Sequence, residues 1–304
     1  MARIAYIFPG QGSQYTGMGK DLYEKSDLAR SLFDHADSVL GISLSEICFH
    51  GPEELLRQTE NTQPAIFLHS VILTKLMQRE EAGMVAGHSL GEYTALVYAG
   101  ALTFEDGLRL VRLRGELMQR AGEKEKGTMA AVVGLDGTVV DEICREASDA
   151  GIVQSANFNS PGQIVISGSV TGVRRAMEIA KTRGAKLVKE LVVSGAFHSP
   201  LMQSAREGLK NGLASTAIAD ARIPVYANVT GKSVQKADDI RSLLDQQLTN
   251  PVQWEKSVTN MIADGAEKFI EVGPGKVLQG LVKRINGSVN VSGMDKYEDI
   301  FLHE

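Results

Sequence analysis

Residues 84–92, Met84-Val85-Ala86-Gly87-His88-Ser89-Leu90-Gly91-Glu92, hold the pattern on which the fold turns. Met84-Val85-Ala86 is a short apolar run of the kind that forms a buried strand, and the stretch from Tyr93 to Ala99 is apolar at helical spacing. Between them Gly87-His88-Ser89-Leu90-Gly91 matches G-x-S-x-G, in which small flanking residues let the chain turn sharply from strand into helix with a serine on the turn. That geometry exposes the hydroxyl at the end of a sheet. It also places the serine at a helix N-terminus, where free N–H groups and the macrodipole favour developing negative charge. A glycine-rich turn with a capping serine fits the same letters, since a chain with 31 glycines produces the bare pattern by chance. The strand before it and the helix after it favour the nucleophile.

Working outward, Ile4 to Phe8 reads as a first buried strand, followed by the glycine-rich loop Pro9-Gly10-Gln11-Gly12-Ser13-Gln14. Helical patterns lie around 20–40, 52–57 and 64–80. Residues 128–192 change texture: strand (Met129–Val133), helix (Val139–Ala147), strand (Ile152–Phe158), strand (Gln163–Ser167), helix (Val170–Thr182), strand (Leu187–Val193). This βαββαβ order is the ferredoxin-like arrangement. The expected fold is therefore α/β, a large α/β-hydrolase-like domain with a parallel sheet and an inserted small ferredoxin-like domain. We expect residues 1–126 and 196–304 to form the large domain and 127–195 the small one, with Ile223–Asn228 and Lys268–Val272 returning as strands of the large sheet. A cleft between the two is the expected substrate site.

Composition sets the class. The chain has 304 residues, 43% hydrophobic and 23% charged, as expected of a packed globular enzyme. Its net charge of −5 supplies no global field for nucleic acid or an anionic membrane. Cys48 and Cys144 stand in no metal-ligand spacing, so no metal site is expected, and both read as buried thiols of a reducing compartment. The run at Ile4 is broken at once by Pro9-Gly10, which suits a strand better than a signal sequence, and no stretch approaches the roughly 20 apolar residues of a membrane span. We expect a cytoplasmic protein.

A serine hydroxyl needs a base. The histidines are His35, His50, His69, His88, His198 and His303. His88 adjoins the serine but should point across the turn from it. His198, in Ser194-Gly195-Ala196-Phe197-His198-Ser199-Pro200, lies in a loop just after a predicted strand, a usual place for catalytic groups and also for a structural histidine. The acids between them, Asp136, Asp141 and Asp149, fall in the small lobe, so no triad acid is evident. In the helical pattern from Gly107 to Gln119, Arg114 sits within the apolar stripe of Leu110, Val111, Leu117 and Met118, while Arg109, Arg112 and Glu116 lie opposite. A guanidinium taken off the solvent face keeps its charge and calls for an anionic partner, either a structural carboxylate or that of a substrate. G-x-S-x-G with a histidine serves esterases and thioesterases as well as transferases, and a non-catalytic scaffold is a third reading.

Several separated motifs, taken together, narrow this. They are Phe8-Pro9-Gly10-Gln11-Gly12-Ser13-Gln14, Thr62-Gln63-Pro64-Ala65, Gly87-His88-Ser89-Leu90-Gly91-Glu92, Arg114-Gly115 with Met118, Asn157-Phe158-Asn159-Ser160, Ala196-Phe197-His198-Ser199, Asn250-Pro251-Val252-Gln253-Trp254, and Glu271-Val272-Gly273-Pro274-Gly275. In this order they resemble, almost end to end, the malonyl-CoA:acyl carrier protein transacylases of fatty acid synthesis and the acyltransferase domains of polyketide synthases. The resemblance implies a ping-pong transfer of malonyl through an ester on Ser89, with His198 as general base. A backbone carbonyl near Gln247 would orient the imidazole in place of an acid. The backbone N–H groups of Gln11 and Leu90 would form the oxyanion hole, and Arg114 would hold the malonyl carboxylate. His88, Gln63 and Asn159 match polar positions of the same cleft, and Phe197 matches a residue that excludes an α-methyl branch. Malonyl-CoA would be substrate, acyl carrier protein the partner, and no cofactor would be tightly bound. Because such carriers are acidic, the cations Arg174, Arg175, Lys181, Arg183, Lys186 and Lys189 suit either a docking patch or an ordinary solvated face.

Overall fold

The computed structural model describes residues 3–77 and 81–301, so Met1, Ala2, the tail of the predicted 64–80 helix and His303 lie outside the described residues. The chain opens with β1 (Arg3–Phe8), α1 (Lys20–Lys25), α2 (Asp27–Leu40), α3 (Leu44–His50), α4 (Glu53–Arg57), α5 (Thr59–Leu76), β2 (Met84–Gly87), α6 (Gly91–Tyr98) and α7 (Phe104–Lys124). The middle stretch holds β3 (Gly127–Val133), α8 (Gly137–Glu146), β4 (Val153–Ser160), β5 (Gln163–Ser169), α9 (Val170–Thr182) and β6 (Leu187–Glu190). The chain then continues through α10 (Gln203–Ser215), β7 (Val225–Tyr226), β8 (Ser233–Val234), α11 (Ala237–Gln247), α12 (Trp254–Ala263), β9 (Ala266–Val272), α13 (Val277–Ile285) and β10 (Asn290–Met294).

Two sheets result. The larger runs β10-β9-β1-β2-β7-β8, and all its pairings are parallel except β7 with β8. β1 lies near its centre with Ile4 to Phe8 buried, the continuous apolar run expected of a parallel strand covered on both faces. The smaller sheet is antiparallel in the order β4-β5-β3-β6, with α8 and α9 packed together and against it. Each has its own apolar core, the small one built on Ala130, Val132, Ile143, Ile164, Ile166, Val173 and Ile179. The two bodies are stitched where Phe158 N–H donates to the Val252 carbonyl and Val252 N–H donates to that of Ala156.

Three elements differ from the sequence expectation for identifiable reasons. The pattern over 20–40 is two helices, because Ser26 leaves the helical conformation and its Oγ accepts from Ala29 N–H to cap the second. α5 begins at Thr59, five residues before the expected start, and runs through Pro64. Proline cannot donate to the Glu60 carbonyl, and Arg112 Nη1 takes its place at 2.9 Å. The strand expected over Ile223–Asn228 pairs only at Val225–Tyr226, and Asn228 instead leaves the ladder to serve the site below.

Candidate active site

The turn between β2 and α6 is built by close approach. A Cβ on Gly87 would stand 1.8 Å from the Gly91 carbonyl carbon, and one on Gly91 would stand 2.1 Å from the Phe8 carbonyl oxygen. Only glycine fits either position. Ser89 between them has φ 51°, a left-handed conformation that costs a serine on the order of 1–3 kcal/mol. Asn228 holds it there: its Oδ1 accepts from Ser89 N–H at 2.6 Å and its Nδ2 donates to the Gly87 carbonyl at 2.6 Å. Sequence reasoning passed over Asn228, whose only signal was its place at the end of a predicted strand. Asn228→Ala would leave two buried backbone groups without partners. We expect it to lower the unfolding free energy by roughly 2 kcal/mol or more, read from urea melts, and to slow Ser89 acylation.

Ser89 Oγ lies 2.8 Å from His198 Nε2, and His198 Nδ1 lies 2.8 Å from the Gln247 carbonyl oxygen. Because a carbonyl can only accept, Nδ1 bears the hydrogen and Nε2 presents its lone pair to the serine. His198 is 3% exposed and, like Ser89, has a left-handed backbone, φ 57°. Its loop is fixed by Gln154 of β4, whose Nε2 donates to the His198 carbonyl at 2.8 Å. Burial, reinforced by the nearby Arg114 charge, pushes the imidazole down to about 3, so it stays neutral and able to accept a proton throughout the physiological range.

Arg114, on α7, is fully buried. Its Nη1 donates to Gln63 Oε1 at 2.8 Å, and its Nη2 donates to Ser89 Oγ at 3.0 Å and to Gln247 Oε1 at 2.9 Å. All three acceptors are neutral, and Nε has no partner. The ring of Tyr93 lies 5.6 Å beneath the guanidinium. A wholly desolvated cation whose direct acceptors are all neutral calls for a negative charge beyond them, and its Nη2 is aimed at the hydroxyl.

A cavity of about 230 Å³ opens over Ser89 between the two sheets' bodies. Gln11, Gln63, His88, Asn159, Phe197 and His198 all line it, together with an apolar wall that includes Met118, Met129 and Leu281. Arg114 is not part of that lining; its guanidinium touches the cleft through Ser89 Oγ. His88 turns away from the hydroxyl, its Nε2 2.8 Å from Asn159 Oδ1 and its ring against Trp254. Leu90 N–H belongs to the first turn of α6, where backbone donors have no intrahelical acceptor, and Gln11 lies in the β1–α1 loop on the opposite lip. Gln11, Gln63, His88, Ser89, Leu90, Asn159, Phe197 and His198, drawn from stretches far apart in the chain, thus line one cleft, while Arg114 and Gln247 stand outside its lining and reach it through their hydrogen bonds to Ser89 and His198.

On the small lobe three of the six singled-out cations are paired with acids of that lobe: Arg174 with Glu190 at 3.4 Å, Arg175 with Glu178 at 3.5 Å, and Arg183 with Glu146 at 3.0 Å. No group of three or more His, Cys, Asp or Glu placed to hold a metal ion occurs among the described residues, and no helix among them is long and apolar enough to cross a membrane.

A family model described as an acyl transferase domain matches residues 5–298. The malonyl CoA-acyl carrier protein transacylase of Bacillus subtilis (strain 168) is 46% identical over 307 residues, covering 99% of this chain and 96% of that protein. Among solved structures, the malonyl CoA-acyl carrier protein transacylase of Coxiella burnetii matches with a TM-score of 0.95 at 39% identity, over 98% of this chain and 96% of that one. A type II polyketide synthase acyl-carrier protein in complex with its malonyl-transacylase gives a TM-score of 0.95 at 40% identity over 98% of each chain. With one family model spanning nearly the whole sequence and such relatives matching end to end, the chain belongs to the acyl transferase domain family.

Proposed function

We propose that this protein transfers the malonyl group of malonyl-CoA to the phosphopantetheine thiol of acyl carrier protein, through a malonyl ester on Ser89, in fatty acid or polyketide synthesis. The observation that carries the reading is the position of Ser89 Oγ, held between the lone pair of His198 Nε2 and the buried charge of Arg114. Ser89 attacks the thioester carbonyl as its proton passes to His198 Nε2, and the oxygen–carbon bond forms. The tetrahedral oxyanion is met by the N–H groups of Gln11 and Leu90, donors of a kind that supply roughly 3 kcal/mol each. When the carbon–sulfur bond breaks, the imidazolium returns the proton to the departing coenzyme A thiolate. A carrier thiol then repeats the sequence in reverse. The Gln247 carbonyl does the orienting work that an acid does in a triad.

Arg114 pairs with the free carboxylate of malonyl, and Gln63, His88 and Asn159 complete the polar side of the cleft, with Phe197 limiting room beside the α-carbon. No cofactor enters this chemistry. The large body, 1–126 with 196–304, reads as a hydrolase-like domain. The body at 127–195 reads as a ferredoxin-like insertion, a reading supported by its βαββαβ order and antiparallel sheet. A cytoplasmic address fits the substrate and the carrier.

Intact-mass spectrometry after mixing with malonyl-CoA tests the reading. A transferase gains one malonyl group that persists until holo carrier protein removes it. A thioesterase or esterase returns to the unmodified mass without carrier, and that outcome would reject the proposal.

A further inference from the structure

The dyad lacks an acid beside the imidazole, yet a carboxylate lies one amide away. Glu92, on α6, is 3% exposed, and its Oε2 accepts from Gln247 Nε2 at 2.7 Å and from Asn228 N–H at 3.0 Å. The same Gln247 reaches every part of the site. Its Oε1 accepts from Arg114, its Nε2 also donates to the Ser89 carbonyl at 3.0 Å, and its backbone carbonyl receives His198 Nδ1–H. Arg114 can only donate and an ionised Glu92 can only accept, so the two between them dictate which way the Gln247 amide faces. Asn228, the second donor to Glu92, is the residue that pins the Ser89 turn.

We propose that Glu92 is a positioning residue of this active site: through Gln247 and Asn228 it holds the imidazole, the guanidinium and the serine turn in one register, and it supplies the counter-charge that the Ser89–His198 pair otherwise lacks. This rests on the reading of Ser89 as nucleophile and goes beyond it. The charged and titratable groups around Glu92 are Arg114 from α7, Tyr93 from α6 itself and His198 beyond Gln247; Asp245 of α11 acts on Tyr93 and is engaged by Arg206 at 2.7 Å. Burial pushes Glu92 up to about 7, against the downward pull of its hydrogen bonds and of Arg114. Above that pH the carboxylate is ionised and opposes the Arg114 charge that weakens His198 as a base. Below it Glu92 is neutral, and the guanidinium acts on the imidazole unopposed. The rate of Ser89 acylation therefore rises with pH through about 7. His198, pushed down to about 3, cannot be the source of such a limb.

The test measures Ser89 acylation against pH with two reagents, malonyl-CoA and a fluorophosphonate that labels any activated serine. Glu92→Gln keeps an acceptor for both donors but no charge. It is expected to fold with an unchanged melting temperature, to lose the rise near neutrality with both reagents, and to run several-fold slower than the parent enzyme at about pH 8. Glu92→Ala, which also releases the Gln247 amide, is expected to lose roughly ten- to a hundredfold. A limb that persists in Glu92→Gln, or that is missing from the parent enzyme, overturns the proposal, as does parental acylation by Glu92→Ala. Parent enzyme that reacts with the fluorophosphonate but not with malonyl-CoA would instead overturn the substrate reading, and the Glu92 comparison would still be read from the fluorophosphonate.

Discussion

Ser89→Ala is expected to abolish malonyl transfer, with a loss on the order of 10⁴-fold or more in kcat, because Ser89 Oγ is the hydroxyl set against the base, His198 Nε2. The alanine removes Oγ and with it two contacts, the one from His198 Nε2 and the one from Arg114 Nη2. The fold should be preserved, because the turn is held through the Ser89 backbone, which donates to Asn228 and accepts from Gln247, and not through its hydroxyl. The measurement is carrier acylation followed by mass spectrometry, alongside a thermal melt. Carrier acylated at the parental rate by Ser89→Ala would mean that the protein only brings carrier and donor together, and the covalent route would be wrong.

Arg114→Ala is expected to shift donor preference from malonyl-CoA toward acetyl-CoA. An acetyl group brings no carboxylate, so in the parent enzyme the guanidinium stays buried with its charge uncompensated by the substrate. Breaking a buried ion pair from one side costs about 3–5 kcal/mol, which corresponds to roughly 10²- to 4 × 10³-fold in relative kcat/KM at 1.4 kcal/mol per factor of ten. Competition between the two donors, scored by adduct mass, checks it, and unchanged selectivity would remove Arg114 from the substrate site. The same substitution has a second signature. Burial is the main force lowering His198 and the Arg114 charge adds to it, so alanine at 114 raises the imidazole pKa. The base must be neutral to act. Its activity is lost as pH falls through that pKa, so the limb set by His198, which in the parent enzyme lies far below the one set by Glu92, moves to higher pH in Arg114→Ala. In the parent enzyme a malonyl carboxylate paired with Arg114 would add to the opposing charge of Glu92 and bring the imidazole closer to the variant's basicity, which would couple recognition of the donor to activation of the base.

Local pattern made much of the molecule legible. A run of five apolar residues at Ile4–Phe8 buries on both faces whatever surrounds it, and the 3.6-residue spacing of α9 reproduces its observed bounds, Val170–Thr182, because such periodicities are properties of the chain itself. The requirement for glycine at 87 and 91 is likewise written in the sequence. Arg114 declared itself by standing among apolar neighbours on a helix. What failed locally failed because a distant residue supplied the missing group. Pro64 ends a helix by its own chemistry and does not do so here, since Arg112 from another helix satisfies the orphan carbonyl.

By itself, then, the sequence determined the alternation of elements, the serine on its strained turn and the misplaced cation, all of which depend on residues within a few positions of one another. Tertiary structure alone decided that His198 meets Ser89 across 109 residues, that Gln247 offers its carbonyl to the ring and its side chain to Arg114, and that Asn228 and Glu92 belong to the same network. Hydrogen bonds act over about 3 Å and are indifferent to separation along the chain, so no spacing rule encodes them and only packing brings their donors and acceptors together.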